Sequence, residues 1–238
     1  MLDKTAISDN FSRSAPQYDR HAVLQQAMAA GLLAKLPDIK PQKILDLGCG
    51  TGTLTRELAA KFPAARVVGL DIAPGMIEIA NRRAGGNLEF RVGDGEALEG
   101  EKEWDLVVAN AALQWMDAAA VFARVARALK PHGLFAFTTF GPQTLLELRT
   151  GGFAVNRFLA AEELNLLAVP LFARAEIAAE TRLSGFSSLK ELLHYLKELG
   201  ANTPEYRPRA ELSAFRRFRE RHPLVTATFE VITGLLFK

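Results

Sequence analysis

The sequence predicts an α/β protein with a seven-stranded, mostly parallel sheet, helices on both faces of that sheet, and a helical lid. Short apolar runs alternate with amphipathic helical patterns as far as Phe140, and such alternation is typical of a parallel sheet built from strand–helix units. A glycine-rich loop follows the first apolar run, as in open sheets that bind a nucleotide-type ligand. Helical patterns dominate beyond Phe140, and we expect these residues to cover the mouth of the site.

The predicted elements follow one another along the chain. We expect an amino-terminal helical segment at 1–40, with helices at 21–36, 53–61, 74–83 and 117–129. Lid or docking helices are expected in 141–175 and 185–221, including one at 188–199, all within one domain spanning 1–238. Residues 130–133 form the predicted break before the fifth strand. Strands are predicted at 43–48, 66–71, 88–92, 104–109, 133–140, 177–183 and 224–233.

The composition is that of a globular chain in a reducing compartment. The 238 residues are 49% hydrophobic with a net charge of +2, which allows one sizeable core and is too weakly basic to imply nucleic acid. We find neither a signal-peptide pattern nor an apolar run of roughly 18 residues that could span a membrane. Cys49 is the single cysteine, so we expect no internal disulfide, a cytoplasmic location, and a thiol that fills a small buried gap. We also expect no metal site.

A loop with three alternate glycines carries the strongest functional signal. Residues 44–52 read Ile-Leu-Asp-Leu-Gly-Cys-Gly-Thr-Gly, and Gly48, Gly50 and Gly52 permit a sharp turn close to a ligand. The dinucleotide fingerprint G-x-G-x-x-G places its third glycine one position later. Asp46, just before the loop, would repel a pyrophosphate and suits a ligand with an ammonium group. A glycine-rich turn without a ligand is the alternative.

Three further strand ends carry side chains that suit an adenosine cofactor. Asp71 ends the second strand, where an acid can accept both ribose hydroxyls. Dinucleotide enzymes use the same device, so Asp71 alone does not choose the cofactor. Ile72 and Met76 can pack either against adenine or in the core. Asp94 follows the third predicted strand, and Asn110 follows the fourth.

Together these motifs resemble those of the class I S-adenosylmethionine (SAM)-dependent methyltransferases, which have a Rossmann-like fold. The resemblance implies that the loop wraps the methionyl part of SAM and that Asp94 receives the adenine amino group. It also implies that the fourth strand ends beside the sulfonium, with S-adenosylhomocysteine as the product. The implied cofactor-binding residues are Asp46, Gly48, Gly50, Gly52, Asp71, Ile72, Met76, Asp94, Gly95 and Asn110.

Nearly the whole chain resembles the malonyl-acyl-carrier-protein O-methyltransferases of biotin synthesis. This resemblance implies methyl transfer from SAM to the free carboxylate of malonyl-acyl carrier protein, or of malonyl-coenzyme A. The ester loses the charge, so fatty-acid elongation enzymes would accept it as an ordinary apolar chain. His222 departs from the pattern, because a tyrosine is expected there. The similar segments are 11–19, 109–115, 136–141, 156–159, 196–202 and 223–226.

A malonyl carboxyl group suits a site that lacks a general base. Such a group is already ionised at neutral pH, and the sequence presents no His-Asp or His-Glu base constellation. Positioning the reactants can remove on the order of 7–11 kcal/mol of barrier. Arginine is a suitable anchor because its planar fork matches a carboxylate.

Two residues are the candidates on the substrate side. Tyr18 lies in the segment that the resemblance folds across the cofactor, and its hydroxyl can donate to a carboxylate; packing is the alternative. Arg157 is the candidate carboxylate anchor, with a solvated side chain as the alternative. We expect His21 to be structural or exposed. Gln114 and Trp115 can shape the methyl-transfer channel, and Trp115 can equally belong to the core.

An arginine-rich stretch at 205–222 predicts an acidic partner. It suits docking of an acyl carrier protein with its phosphopantetheine arm, although an ordinary solvated helix face is the alternative. Nucleic acid would compete for such a stretch, but the Asn-Pro-Pro-aromatic motif of base methyltransferases is missing. The arginines are Arg207, Arg209, Arg216, Arg217, Arg219 and Arg221.

Two other functions remain open. A methyltransferase of a small free carboxylic acid would need no docking surface for a carrier. A SAM-binding sensor without catalysis is the second, and the intact acids Asp46, Asp71 and Asp94 argue against it.

Overall fold

A computed structural model describes residues 3–201 and 225–238. Its centre is a seven-stranded sheet in the order β3-β2-β1-β4-β5-β7-β6. Strands β1 to β5 are parallel, and β7 pairs antiparallel with both β5 and β6. The predicted α/β class is confirmed. The strands are β1 Lys43–Leu47, β2 Arg66–Asp71, β3 Leu88–Val92, β4 Trp104–Asn110, β5 Leu129–Phe140, β6 Arg174–Phe186 and β7 Val225–Phe237.

Nine helices are present in the described ranges. The first three lie within residues 4–35, and the later ones alternate with strands. Capping side chains mark several starts: Asp117 accepts hydrogen bonds from the first-turn amides of α6, and Ser188 accepts one from Glu191 in α9. The helices are α1 Lys4–Ser14, α2 Tyr18–His21, α3 Val23–Lys35, α4 Thr53–Lys61, α5 Pro74–Asn81, α6 Ala118–Ala128, α7 Leu146–Thr150, α8 Ala161–Ala168 and α9 Leu189–Glu198.

Alternate residues of the central strands pack into two hydrophobic cores, one on each face of the sheet. In β1, Leu45 belongs to a cluster with α6 and α8, whereas Ile44 belongs to a cluster with α3, α4 and α5. In β4, Val107 and Val108 divide in the same way. Strands buried on both faces read as continuous apolar runs, which is why the sequence located these strands well.

The carboxyl ends of the strands are covered by a third apolar cluster. Met28 of α3, Leu192 and Leu196 of α9 and Phe229 of β7 pack together there. Strands β1 and β4 are neighbours although β2 and β3 lie between them in sequence. β1 and β4 are parallel, and the direction in which successive strands are added across the sheet reverses at this pair. Ligands of open α/β sheets bind in the crevice at such a switch point.

The segment 141–175 departs from its predicted helical structure. Only α7 and α8 are helical, and residues 153–160 have no regular secondary structure. Phe153 is buried in one cluster with Phe140 and Leu148, so apolar residues that suggested a helix face pack from an irregular chain. Strand β6 then begins at Arg174, inside the segment predicted to be helical.

Three strands also differ from the prediction in their bounds. Strand β5 starts at Leu129, and the break predicted at 130–133 is an irregularity within it, because Trp104 pairs with Leu129 while Leu106 pairs with Leu134. Strands β6 and β7 are longer than expected, with continuous pairing from Arg174↔Phe237 to Phe186↔Val225. Within the ranges that the structure describes, no helix is long and apolar enough to cross a membrane.

Candidate active site

The glycine loop, residues 48–52, connects β1 to α4 and needs its glycines for two different reasons. Gly48, Gly50 and Gly52 all have positive φ, at 69°, 54° and 82°. A Cβ on Gly48 would lie 2.4 Å from the Cβ of Ala112, and one on Gly52 would lie 2.5 Å from Phe90. A Cβ on Gly50 would meet no atom within 4 Å. Gly50 therefore leaves free space for a ligand, whereas Gly48 and Gly52 allow close packing.

Asp71 holds this loop in place from the end of β2. Its Oδ2 accepts a hydrogen bond of 2.8 Å from the Gly50 amide, and its Oδ1 accepts one of 2.8 Å from the Ala73 amide. Burial raises the pKa of Asp71, opposed by these two hydrogen bonds. A carboxylate has about four acceptor positions, so Asp71 retains capacity for hydroxyl donors.

Asp46 is a buried carboxylate without a cationic partner among the described residues. Its side chain is 1% exposed, and Oδ2 accepts a 2.7 Å hydrogen bond from the hydroxyl of Thr55. Burial raises the pKa of Asp46 to about 7, with a further contribution from the charge of Asp71. A buried acid of this kind suits a ligand cation, which would stabilise the ionised form. This acid and the free space at Gly50 fit a cofactor that carries an ammonium group.

Two neighbouring cavities border the glycine loop, and both are lined by Tyr18, Gly48, Gly50 and Asn110. The loop cavity also includes Asp46, Asp19 of α2 and Gln25 of α3. The strand-end cavity also includes Asp71, Ile72 and Met76, together with Ile7 and Phe11 of α1. Seven of the ten cofactor residues predicted from the sequence line one or both of these cavities. Those seven are Asp46, Gly48, Gly50, Asp71, Ile72, Met76 and Asn110.

The remaining three residues stand behind the cavity walls. Gly52 packs against Phe90. Asp94 pairs with Lys4 of α1 at 2.5 Å, and its other oxygen accepts from the Glu96 amide. Gly95 is buried next to the side chain of Met116, and Met116 itself lines the strand-end cavity. The structure therefore does not bring Asp94 and Gly95 to the surface of either cavity.

Met76 and Asn110 each serve packing as well as the cavity. Met76 is 1% exposed and packs in a small cluster with Ala15 and Ala73, and it also lines the strand-end cavity. The Asn110 amide donates to the backbone carbonyl of Gln25 at 3.0 Å and accepts from the Thr138 hydroxyl at 2.7 Å. Asn110 therefore fixes α3 against the ends of β4 and β5.

A third, mostly apolar cavity lies beyond Tyr18. Tyr18 alone among the described residues lines this apolar cavity and both cavities at the loop. Burial, together with nearby Asp71, raises the pKa of the Tyr18 hydroxyl, so this group stays protonated and acts as a donor. The other lining residues are Phe11, Gln25, Ala111, Gln114, Trp115, Phe140, Thr144, Leu145, Asn156, Phe158, Leu196, Leu199, Ala201 and Phe229.

Arg157 does not line the apolar cavity. Its side chain is 82% exposed and pairs with Glu163 at 3.0 Å. It borders a lateral cavity, which shares four lining residues with the apolar cavity: Gln114, Phe140, Asn156 and Phe158. No Lys, Arg or His is among the described residues that line the three cavities around Tyr18.

The secondary candidates also have defined positions. Trp115 packs its ring edge-on to Phe11 at 5.5 Å and lines two cavities, so it is not simply a core residue. Gln114 accepts from the Thr139 hydroxyl and donates to the Ala111 carbonyl. His21 lies outside the cavities, 6.5 Å from the ring of His194. Cys49 is buried, and burial raises its pKa, as expected for a structural thiol.

A polar latch that the sequence did not reveal fastens α2 to the glycine loop. Asp19 accepts from the Thr51 hydroxyl and from Arg83, each at 2.5 Å. Arg83 follows α5 and also donates to the Thr51 carbonyl. These residues belong to three separated segments, so no local motif signals them.

The predicted docking arginines between 205 and 222 lie outside the described residues. No group of three potential metal ligands occurs in the part of the chain that the structure covers.

Comparison with known proteins identifies the family. A family described as "Methyltransferase domain" matches residues 44–133. In solved structures, the YcgJ protein of Bacillus subtilis is similar with a TM-score of 0.65 and 16% identity, over 90% of this chain and 98% of its own. A complex of Haemonchus contortus phosphoethanolamine N-methyltransferase 2 with S-adenosyl-L-methionine is similar with a TM-score of 0.58 and 18% identity. The similarity covers 88% of this chain and 52% of that protein. Both likenesses concern the fold.

Curated relatives are more similar in sequence. The malonyl-[acyl-carrier protein] O-methyltransferase of Hahella chejuensis is 37% identical over 228 residues, covering 92% of this chain and 81% of the relative. The protein of the same name from Gallionella capsiferriformans is 36% identical, covering 100% of this chain and 92% of the relative. With this similarity added to the methyltransferase fold, the chain belongs to the malonyl-[acyl-carrier protein] O-methyltransferase family.

Proposed function

We propose that this protein transfers a methyl group from SAM to the free carboxylate of malonyl-acyl carrier protein. SAM supplies an electrophilic methyl group on a sulfonium. The carboxylate oxygen forms the new bond to carbon, the carbon–sulfur bond breaks, and S-adenosylhomocysteine leaves with the electron pair. The names of the curated relatives support this substrate. The product ester has lost the carboxylate charge, so the enzymes of fatty-acid elongation could extend it as an ordinary apolar chain. This would place the reaction in the synthesis of biotin.

The observation that carries the proposal is the position of Tyr18 at the meeting point of three cavities. Cofactor in the loop and strand-end cavities would present its methyl group towards a substrate in the apolar cavity. The protonated Tyr18 hydroxyl can donate to the attacking carboxylate and orient it. Such alignment is worth on the order of 7–11 kcal/mol in well-oriented reactions.

The two cofactor cavities divide the ligand by chemistry. Asp46 and the loop amides suit the methionyl end, where the ammonium group compensates the buried carboxylate. Asp71 suits the ribose hydroxyls, and Ile72 and Met76 suit the adenine ring. In this proposal Gly52, Asp94 and Gly95 support the walls from behind.

We propose Arg157 as the residue that binds the substrate carboxylate. Its guanidinium is held by Glu163, whose pKa is lowered by a hydrogen bond from the Ala160 amide and by Arg157 itself. Arg157 would have to leave Glu163 and pass Phe158 to reach the apolar cavity. The variant Arg157→Ala tests this role: an anchor raises KM for the malonyl substrate, whereas a surface residue leaves KM unchanged.

Docking of the carrier protein is proposed for the arginines of 205–222. Leu199 and Ala201 line the apolar cavity, and the arginine-rich stretch begins four residues after Ala201 in the sequence. Acyl carrier proteins are small and acidic, and opposite charge accelerates such encounters. Charge reversal of Arg216, Arg217 and Arg219 should weaken activity on malonyl-acyl carrier protein and spare malonyl attached to a small thiol. Equal activity of the variant on both substrates would contradict docking there.

The decisive experiment is methyl transfer from labelled SAM to malonyl-acyl carrier protein, with malonyl-coenzyme A and free malonate in parallel. Base-labile label on the carrier-bound malonyl group would establish both reaction and partner. Label on free malonate alone would indicate a small-acid methyltransferase. A cytoplasmic location follows from this proposal, because the carrier protein and SAM are found there.

A further inference from the structure

A buried, unpartnered amide oxygen stands at the junction of the cavities. Oε1 of Gln25 is inaccessible to solvent and makes no hydrogen bond with the described part of the protein. Leaving a buried acceptor unpaired costs about 1–3 kcal/mol, and native proteins contain few such groups. Apart from Trp104, whose indole NH lies at the start of β4, Gln25 is the only described residue with an atom of this kind.

The position of Gln25 relates this cost to the reaction. Gln25 and Tyr18 are the two described residues that line both the loop cavity and the apolar cavity. The Asn110 side chain holds the backbone carbonyl of Gln25 at 3.0 Å, so the amide is carried by a fixed turn of α3. The Gln25 side chain can therefore contact a ligand in the loop cavity and a ligand in the apolar cavity.

We propose that Gln25 positions both reactants, with its oxygen accepting from the ammonium group of the cofactor and its NH2 group donating to the substrate carboxylate. This assignment rests on the proposed function. The loop cavity already holds the acids Asp19, Asp46 and Glu57, so it favours a cationic group beside the amide oxygen. The apolar cavity has no cationic side chain among its described lining residues, so a neutral amide donor there supplies a contact for an anion.

An amide is better suited to this position than a charged side chain. A carboxylate at 25 would serve the ammonium group and repel the substrate anion, and an arginine would do the reverse. The glutamine presents a donor and an acceptor on one planar group. A single residue can therefore hold the methyl donor and the methyl acceptor in alignment.

Two substitutions separate the halves of the proposal. Gln25→Met keeps the approximate shape and removes both polar contacts, and Gln25→Glu keeps the acceptor and removes the donor. For Gln25→Met we expect SAM affinity, measured by calorimetry, to fall about 10- to 100-fold, as befits hydrogen bonds to charged groups, with an unchanged or higher Tm. For Gln25→Glu we expect unchanged or tighter SAM binding, with KM for malonyl-acyl carrier protein raised about 10-fold or more.

Gln17→Glu is the matched control, because Gln17 is exposed at the start of α2 and its side chain makes no capping bond. It should leave SAM affinity and KM unchanged. The proposal would be overturned if Gln25→Met kept both its SAM affinity and its KM within two-fold of wild type. It would also be overturned if Gln25→Met and Gln25→Glu lost SAM affinity equally. SAM binding is measured without turnover, so failure of wild-type protein to methylate malonyl-acyl carrier protein would count against the proposed function alone.

Discussion

Oδ2 of Asp19 lies 2.5 Å from Nη2 of Arg83, and this ion pair joins the amino-terminal helices to the far side of the glycine loop. The same carboxylate accepts a hydrogen bond from the Thr51 hydroxyl. The side chains of Asp19 and Arg83 are 38% and 24% exposed, so water screens the pair only in part. Because Tyr18 precedes Asp19, the latch also fixes the position of the candidate catalytic hydroxyl.

Breaking the latch should weaken cofactor binding. Arg83→Ala removes the ion pair and the hydrogen bond to the Thr51 carbonyl, so α2 would close less firmly over the loop cavity. We expect SAM affinity to fall about 5- to 50-fold, corresponding to about 1–2 kcal/mol for a partly buried charged contact. Calorimetry at low and high salt would measure this effect. The SAM affinity of the wild type should depend more on salt than that of Arg83→Ala, because only the wild type has the ion pair.

The adjacent residue provides the control for this variant. Arg82 pairs with Glu78 at 3.8 Å on the surface, where both side chains are largely exposed, and such pairs contribute little. Arg82→Ala should bind SAM like wild type. Equal losses in the two variants would show that general charge, and not the latch, governs the affinity.

Cofactor binding should depend on the ionisation of Asp46. Burial raises the pKa of this carboxyl to about 7 in the free protein, and an ammonium ligand requires the ionised form. SAM affinity should therefore rise about five-fold between pH 6 and pH 7, and fall again above about pH 8 as the ligand amine loses its proton. Asp46→Asn should bind weakly and remove the acid limb, which calorimetry at several pH values would detect.

The same shift should make the free protein less stable as pH rises. The folded-state pKa of Asp46 lies above its unfolded value, so the folded chain binds the proton more tightly. This contribution to stability is fully present below about pH 4 and is lost as pH rises through about 7. Denaturant unfolding at pH 5 and pH 8 should show a smaller pH difference for Asp46→Asn than for wild type. An identical difference would indicate that Asp46 is already ionised in the folded protein.

Tyr18→Phe should separate orientation from binding. The pKa of Tyr18 is raised by burial, so its hydroxyl donates throughout the working pH range and does not serve as a base. Losing a hydrogen bond to a carboxylate should lower kcat/KM about 10- to 100-fold, with less effect on SAM affinity because the ring still covers the cavities. Wild-type kcat/KM should show no alkaline limb from this tyrosine.

Tyr195 offers a matched control for the Tyr18 variant. It is half-buried against Phe186, burial raises its pKa to about 12, and it lines none of the cavities at Tyr18. Tyr195→Phe should keep kcat/KM close to that of wild type. Full activity of Tyr18→Phe would reduce Tyr18 to a packing residue.

The fold could be predicted best where the sequence signal is local. Strand β2 and helix α4 have the predicted bounds, because a doubly buried strand and an amphipathic helix each carry their own pattern. Strand β6 is an edge strand whose side chains are mostly exposed. Charged residues such as Glu176 and Arg182 interrupt its apolar alternation, so its length could not be deduced.

The site follows the same division. Asp46, Asp71 and the glycine loop belong to one motif near consecutive strand ends, which the sheet brings together automatically. Gln25 and the Asp19–Arg83 latch come from separate segments whose packing depends on the whole fold, so no local sequence pattern indicates them. Asp94 has a motif position, yet its pairing with Lys4 depends on where α1 packs.

Two glycines of the loop should respond differently to substitution by alanine. A Cβ on Gly52 would lie 2.5 Å from Phe90 in the core, and its φ of 82° adds backbone strain. Gly52→Ala should therefore lower Tm strongly. A Cβ on Gly50 would meet no protein atom within 4 Å, so strain at its φ of 54° should cost only about 1–2 kcal/mol.

Gly50→Ala should instead act on the ligand. Gly50 lines both the loop cavity and the strand-end cavity, so the alanine methyl group would take space from the cofactor, and we expect SAM affinity to fall at least 100-fold while the protein stays folded. Thermal unfolding with and without SAM would measure both effects at once, because bound ligand raises Tm by mass action. A Gly50→Ala protein that SAM still stabilises as strongly as wild type would show that the cofactor does not approach the loop at Gly50.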